Sequence, residues 1–199
     1  MSRLLIIGAG GHGKVIADIA AQRGYTDIAF LDDNRRDVQA GYPVVGAVAD
    51  AGRLEGDLFV AIGNGEIRRR IQESLPKERL ATLIHPRATV ARDAKIGAGS
   101  VVMAGAVVNP GASIGDGVIV NTASSVDHDC AVGDFAHIAV GAHLCGTVEI
   151  GADTMIGAGA VVTNNRRVCA GCLIGAGAAV VKDLDQPGTY VGVPARRLP

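Results

Sequence analysis

Val126-Asp127-His128-Asp129-Cys130-Ala131 is followed by Val132-Gly133-Asp134-Phe135-Ala136-His137 and then by Ile138-Ala139-Val140-Gly141-Ala142-His143. An aliphatic residue opens each block of six, and a small residue stands fifth. The step extends back through Val120, Ile114, Val108, Val102, Ile96 and Val90 to Ile84. It extends forward through Leu144, Ile150, Ile156, Val162, Val168 and Ile174 to Val180. All 17 of these positions are Ile, Leu or Val, without a slip in register. From Ala88 to Ala178 the fifth position departs from the small class only at Val118, Val148 and Arg166. Gly often follows the aliphatic directly, as at Gly97, Gly115, Gly133, Gly151, Gly157 and Gly175.

A period of six excludes one long helix, because at about 3.6 residues per turn every sixth residue scatters around the axis. In a strand an even period keeps every sixth residue on one face. The glycines are read as supplying turn conformations between short strands. The pattern therefore predicts a β-solenoid of the hexapeptide-repeat kind, with the aliphatics stacked inside.

Composition narrows the function classes. The chain has 199 residues, of which 48% are hydrophobic, and a formal net charge of −1. No global electrostatic drive toward nucleic acid or a membrane surface follows from that balance. Aromatics are 3% and Trp is absent, which argues against a base-stacking platform. No apolar run reaches membrane-spanning length, and Leu4-Leu5-Ile6-Ile7 is too short for a signal-peptide core. A cytoplasmic protein is expected. Cys169-x-x-Cys172 admits a zinc or redox reading. Cys130 and Cys172, however, occupy the small-residue slot of the repeat, and packing is the simpler role for them.

Ahead of the repeats, residues 3–7 read as a buried strand that ends in Gly8-Ala9-Gly10-Gly11-His12-Gly13-Lys14. An amphipathic helix follows, with Val15, Ile16, Ile19 and Ala20 on its apolar face. Ile28-Ala29-Phe30-Leu31 reads as a strand closed by Asp32-Asp33-Asn34, and residues 35–43 as polar and turn-rich. Val44-Val45 and a helix-like Asp50–Leu54 are weaker signals. Leu58-Phe59-Val60-Ala61-Ile62 is a strand, and a helix from about Glu66 to Leu75 is capped by Asn64. Alternating strands and helices predict a small parallel α/β domain over residues 1–79, then the solenoid over 83–183 and a tail over 184–199.

Gly8-x-Gly10-x-x-Gly13 between strand and helix, with Asp32 ending the next strand, is, taken alone, the dinucleotide-binding fingerprint. About 80 residues are roughly half of a full doubly wound domain, which suits a mononucleotide portion of a ligand. Asp32 and Asp33 could accept hydrogen bonds from a base or sugar. The alternative is an ordinary tight turn. In the repeats, His128-Asp129 can form an imidazole oriented by a carboxylate, hence a general base. The alternative is a surface histidine with a chance neighbour. His128, His137 and His143 could bind metal only by converging in space, and no metal is expected.

These motifs, with Ile84-His85-Pro86, Asn121-Thr122 and Val191-Gly192-Val193-Pro194-Ala195, resemble the sugar-nucleotide acetyltransferases of the left-handed β-helix superfamily. Within it the likeness is to bacterial UDP-4-amino-sugar N-acetyltransferases, grouped with sialic acid O-acetyltransferases. The resemblance implies a Rossmann-like half-domain followed by a left-handed β-helix, three hexapeptides per coil, and a homotrimer with active sites between subunits. It implies acetyl-CoA as co-substrate and a nucleotide-linked amino sugar as acceptor. His128 would be the general base and Asp129 would raise its basicity. His137, Gly146, Ala158 and Ala176 would line the acetyl-CoA groove, with the Gly146 N–H a candidate oxyanion donor. Gly10, Gly11, His12, Asp32, Asp33 and Gly63 would hold the nucleotide-sugar, and Asn121 could touch the sugar. Competing readings are O-acetylation of a sugar such as sialic acid, a non-catalytic nucleotide-binding scaffold, and an NAD-dependent oxidoreductase suggested by the glycine fingerprint.

Overall fold

The computed structural model describes residues 3–199 and divides into two compact units between Pro86 and Arg87. The first unit contains β1 (Arg3–Ile7), α1 (Gly11–Gln22), β2 (Asp27–Leu31), β3 (Val38–Gln39), β4 (Tyr42–Gly46), β5 (Asp57–Val60) and α2 (Gly65–Glu73). They build one sheet in the order β3-β4-β2-β1-β5. β1 pairs parallel with both β2 and β5, which is the half-Rossmann arrangement. Leu4 to Ile7 are all fully buried, as a strand covered on both faces requires. Leu5, Ile7, Leu31, Leu58 and Val60 share one cluster, against which Ile71 and Leu75 pack.

Helix α1 buries Ile16, Ala17, Ile19 and Ala20, but Val15 is 42% exposed and does not belong to the apolar face. Ile16, Ile19 and Ala20 follow the three- and four-residue spacing of one face, and Val15 lies one position off it. The polar stretch 35–43 is more ordered than expected, since β3 and β4 form an antiparallel hairpin. The helix-like stretch near residue 50 is a 3₁₀ segment, Val48–Gly52. Asn64 caps α2 through its Oδ1, which accepts the Ile67 N–H at 2.9 Å.

The second unit is a left-handed parallel β-helix whose strands, mostly of two residues, lie on three faces. The first face stacks Thr89–Val90, Val107–Val108, Ser125–Val126, His143–Leu144, Val161–Val162 and Ala179–Val180. The second runs from Lys95–Ile96 to Arg167–Val168, and the third carries Val101–Val102, Ile119–Val120, His137–Ile138, Met155–Ile156 and Cys172–Ile174. Stacked residues such as Asn109 and Asp127 are 18 apart, so three hexapeptides complete one coil. The aliphatic of each block points inward. From Val102 to Val180 every one is buried, while Ile84, Val90 and Ile96 are half-buried. Each fully buried side chain stabilises by about 1.5–3 kcal/mol before chain entropy is subtracted.

The glycines after the aliphatics have a different reason from the expected one. A Cβ on Gly97 would lie 2.4 Å from the Gly115 carbonyl group of the next coil, so these positions are small because coils approach closely. The left-handed backbone falls two residues later, at Gly99, Gly105, Gly111 and their equivalents, including Asp129. Of the polar members of the small-residue slot, Ser100, Cys130 and Thr154 bond to the neighbouring coil, whereas Ser124 Oγ donates within its own turn to Asn121 O. Ser100 Oγ donates to Gly115 O and accepts from Val118 N, both at 2.8 Å. Cys130 Sγ likewise donates to Cys145 O and accepts from Val148 N. Buried hydroxyls and thiols are thus satisfied. Residues 184–199, read as a tail, carry Gly188–Val191, which pairs parallel with Cys172–Ile174 on the third face, and the short strand Arg196–Arg197.

Candidate active site

Three corners join the three faces. The corner between the first and second faces holds His128, Asp129 and Gly146. His128 Nδ1 lies 2.9 Å from Asp129 Oδ2. That hydrogen bond is the main cause that raises the imidazole pKa; desolvation opposes it, and the charges of Asp127 and Asp129 add to it. With its proton on Nδ1 and shared with the carboxylate, the neutral ring presents Nε2 as the acceptor. Gly146 stacks on this ring: a Cβ there would lie 2.4 Å from His128 Nε2. The chain therefore places the candidate base and the candidate oxyanion donor residue side by side, one coil apart.

Asp127 is a participant that sequence reasoning passed over. Its Oδ1 accepts from Asn109 Nδ2 at 2.7 Å and from the His128 backbone N–H at 2.8 Å. The Asn109 bond is the main cause that holds the Asp127 carboxyl below its ordinary pKa. Its signal was its place in the sequence, one residue before His128.

His137 stands on the third face. Asn121 Nδ2 is 3.0 Å from His137 Nε2, and Asn121 Oδ1 accepts the Thr122 N–H at 2.8 Å. That second bond fixes the amide orientation, so the amide donates and Nε2 accepts. Ala158 and Ala176 are exposed at the corner between the third and first faces, stacked through the Gly177 N–H to Ala158 O bond at 2.9 Å. Within one chain, the His128 corner and the Ala158–Ala176 corner are separated by the whole first face. His143, on that face, pairs with Ser125 Oγ at 2.9 Å and not with His128 or His137. Among the described residues no three His, Cys, Asp or Glu side chains gather as metal ligands. Cys169 Sγ lies 3.5 Å from Cys172 Sγ as a pair of free thiols, and burial first, then the neighbouring thiol, pushes Cys172 up to about 12.

In the first unit the glycine loop separates into two roles. A Cβ on Gly13 would lie 2.2 Å from Gly8 O, so Gly13 lets α1 pack close to β1. Gly10, Gly11 and Gly63 have no heavy atom within 4 Å of an added Cβ and line open space. Helix α1 begins at Gly10 with no side-chain cap and no acidic residue in its first turn. Such an end favours an anion. Helix α2 is instead closed by Asn64 and Glu66. His12, in the first turn of α1, is mostly buried with Nε2 unpartnered. Burial, then the Arg68 charge, lowers its pKa to about 4, so it is neutral at physiological pH. Arg68 is fully buried and donates to Ile62 O at 2.9 Å and Gly63 O at 3.0 Å, bracing the Gly63 turn.

Asp32 is already engaged by its own chain. Its carboxylate accepts from Ala9 N at 2.8 Å, Asn34 N at 2.9 Å and Arg35 N at 3.1 Å. Desolvation acts to raise its pKa, but these bonds and the Arg35 charge outweigh it and the carboxyl titrates below its ordinary value. With about four lone-pair sites on a carboxylate, roughly one is left for a ligand. Asp33 Oδ1 accepts only the Val48 N–H, at 3.0 Å, and keeps more of its capacity. Asp32 thus shapes the glycine loop from across the sheet.

A Rossmann-like half-domain with an open glycine loop, followed by a left-handed β-helix with a His–Asp corner, is the architecture of hexapeptide-repeat sugar acyltransferases. Residues 3–75 match the model of the PglD N-terminal domain. The chain is similar over its full length to the acetyltransferase domain of PglB from Neisseria gonorrhoeae FA1090, with 47% identity, a TM-score of 0.96 and 100% of both chains covered. That domain is also known in complex with acetyl coenzyme A. It is similar to PerB from Caulobacter crescentus, solved with CoA and GDP-perosamine, at 35% identity and a TM-score of 0.95, covering 100% of this chain and 98% of that one. It shares 39% identity over 113 residues with UDP-N-acetylbacillosamine N-acetyltransferase of Bacillus subtilis (strain 168). That match covers 52% of each, so the chain spans about half the length of this curated relative. The chain belongs to the sugar N-acetyltransferase family that includes the PglB and PerB acetyltransferases.

Proposed function

We propose that this chain transfers the acetyl group of acetyl-CoA to the amine of a nucleotide-linked amino sugar, of the UDP-4-amino-sugar type, for synthesis of a bacterial surface glycan or glycoprotein. The observation that carries this is the His128–Asp129 pair with Gly146 stacked on the ring. A thioester is already activated, so no covalent enzyme nucleophile is required. The sugar amine attacks the thioester carbonyl carbon and an oxyanion forms, for which the Gly146 N–H is the candidate donor. His128 Nε2 takes the proton that the amine sheds, while Asp129 holds the resulting imidazolium. The C–S bond then breaks, and the imidazolium returns the proton to the departing CoA thiolate. His137, oriented by Asn121, lies on the thioester side, and Ala158 and Ala176 line the groove through their backbone.

The nucleotide is assigned to Gly10, Gly11, His12, Asp33 and Gly63, with Asp32 acting on it mainly through the loop. Residues 1–79 therefore bind the nucleotide-sugar and residues 83–183 carry the acetyl transfer, with 184–199 completing the third face. The candidate groups occupy two different corners of one solenoid. A homotrimer, in which the His128 corner of one chain meets the Ala158–Ala176 corner of the next, completes the site. Four free thiols support a reducing, cytoplasmic location. Among the described residues no helix is long and apolar enough to cross a membrane.

The test is a panel of UDP- and GDP-linked amino sugars, with sialic acid as the hydroxyl acceptor, assayed with acetyl-CoA for CoA release and acetylated product. Turnover of a UDP-linked 4-amino sugar is expected, with kcat lowered by about two to four orders of magnitude in His128→Ala and KM for acetyl-CoA nearly unchanged. A fully active His128→Ala enzyme would remove His128 from the mechanism. Acetylated sialic acid alone would favour the O-acetyl reading.

A further inference from the structure

The turn that carries His128 is tied to the coil before it by a side-chain bridge. Asn109 Nδ2 donates to Asp127 Oδ1 at 2.7 Å, and that same oxygen accepts the His128 backbone N–H at 2.8 Å. Two main-chain bonds flank the bridge. Asn109 N donates to Val126 O at 2.9 Å, and Asp129 N donates to Pro110 O at 3.0 Å. Beyond the bridge, Asp129 adopts a left-handed backbone with φ of 58°, the turn conformation that Ala123, Phe135 and Thr147 share at the equivalent position of other turns. From that conformation its carboxylate reaches His128 Nδ1.

Resting on the reading of His128 as the base, we propose that Asn109 is a positioning residue for acetyl transfer. It acts through Asp127, holding the turn over residues 127–129 and keeping the Asp127 carboxylate away from the imidazole. The need for such a device follows from the sequence of the turn. His128 lies between two carboxylates, and only Asp129 points its oxygen at Nδ1. An unanchored Asp127 could compete for the same nitrogen, and the ring would then swing between two acceptors. Nε2 would lose the fixed direction that proton transfer requires. Asn109 prevents this because its amide is a neutral donor, so it binds the carboxylate without adding charge. The bridge is particular to this rung. Cys145 and Thr163 follow Asn109 and Asp127 at the same corner position, and Thr163 Oγ1 donates to the Val180 carbonyl instead.

The test uses the full chain, acetyl-CoA and the nucleotide-linked amino sugar that wild type turns over fastest. Asn109→Asp sets two carboxylates against each other, and Asn109→Ser draws the donor back to a shorter side chain without adding charge. Each is expected to lower kcat by about tenfold or more, as misplacement of a base does, with KM for acetyl-CoA within about twofold. Melting temperatures should stay near that of wild type. The double variant Asn109→Asp with Asp127→Asn rebuilds the bridge with donor and acceptor exchanged, and should return kcat to within about threefold of wild type. A purely structural role predicts loss of melting temperature in step with activity and no rescue. Should Asn109→Asp not fold, Asn109→Ser carries the test alone. Wild-type kcat in folded Asn109→Ser, or a double variant no better than Asn109→Asp, overturns the proposal while a crippled His128→Ala leaves the base assignment standing. A fully active His128→Ala, or a wild-type chain that acetylates no sugar, removes the underlying reading and this proposal with it.

Discussion

His128 is exposed, and its properties come from four near neighbours: Asp129 at Nδ1, Asp127 at its backbone N–H, Gly146 against the ring face and Asn109 behind Asp127. A nearby carboxylate stabilises the imidazolium, so the folded pKa lies above its ordinary value. With His128 as the proposed base, its free form is the active one and the rate is expected to rise with pH through that pKa. Asp129→Asn removes the main cause of the shift, so the rising limb of the kcat profile should move to lower pH, together with a smaller loss of kcat than in His128→Ala. A profile that stays in place would mean that Asp129 does not reach the working imidazole. Gly146→Ala places a methyl group 2.4 Å from His128 Nε2, closer than the two can stay. Because the His128 side chain is 55% exposed, the ring can swing outward and the fold survives. The expected outcome is an unchanged melting temperature with kcat reduced about a hundredfold, since a displacement near 1 Å can cost that much.

The strand–loop–helix element β1–α1 makes a different prediction for each of its glycines. Gly13→Ala puts Cβ against a backbone carbonyl that cannot yield, so α1 must shift and the melting temperature should fall by several degrees. Gly11→Val meets nothing in the protein and should leave stability almost unchanged, yet it fills the open space of the loop. Calorimetric titration should therefore show weaker binding of the nucleotide-sugar and unaltered binding of acetyl-CoA. Equal losses for both ligands would undo the assignment of the loop to the nucleotide. Asp32→Ala should resemble Gly11→Val in ligand preference but also loosen the loop, because the Ala9 N–H loses its acceptor. In the β-helix, the coil-to-coil contacts at Gly97, Gly115, Gly133 and Gly151 impose the same steric rule as Gly13.

For the whole molecule, the separation of the two candidate corners by the first face is the reason a trimer is proposed. Light scattering at micromolar concentration should give about three times the chain mass of 20.2 kDa. Mixing His128→Ala with an Ala158→Trp variant, each inactive alone, should restore about a third or less of wild-type activity if the corners of different chains form one site. A monomer mass with full activity would require both corners of one chain to serve separate substrates.

The solenoid was legible in the sequence because burial in a coiled chain is periodic. An aliphatic every sixth residue cannot be hidden by any helix, and the inward direction of Val102 to Val180 follows from strand alternation alone. The half-Rossmann unit was legible for the same kind of reason, as were Asn64 as a cap and Gly10 and Gly11 as an open loop. Neighbours in sequence, such as His128 and Asp129, could be recognised as a pair. What only the tertiary structure decided lies at a separation of 18 residues or across the sheet: Gly146 beneath the imidazole, Asn109 on Asp127, and Asp32 on the Ala9 N–H. It also reassigned the repeat glycines from turns to coil contacts, and moved Val15 from the core to solvent. Hydrophobic periodicity is a sum over many residues and survives local variation. A hydrogen bond or a steric contact depends on one atom of a distant residue, and its coordinates exist only once the coils have stacked.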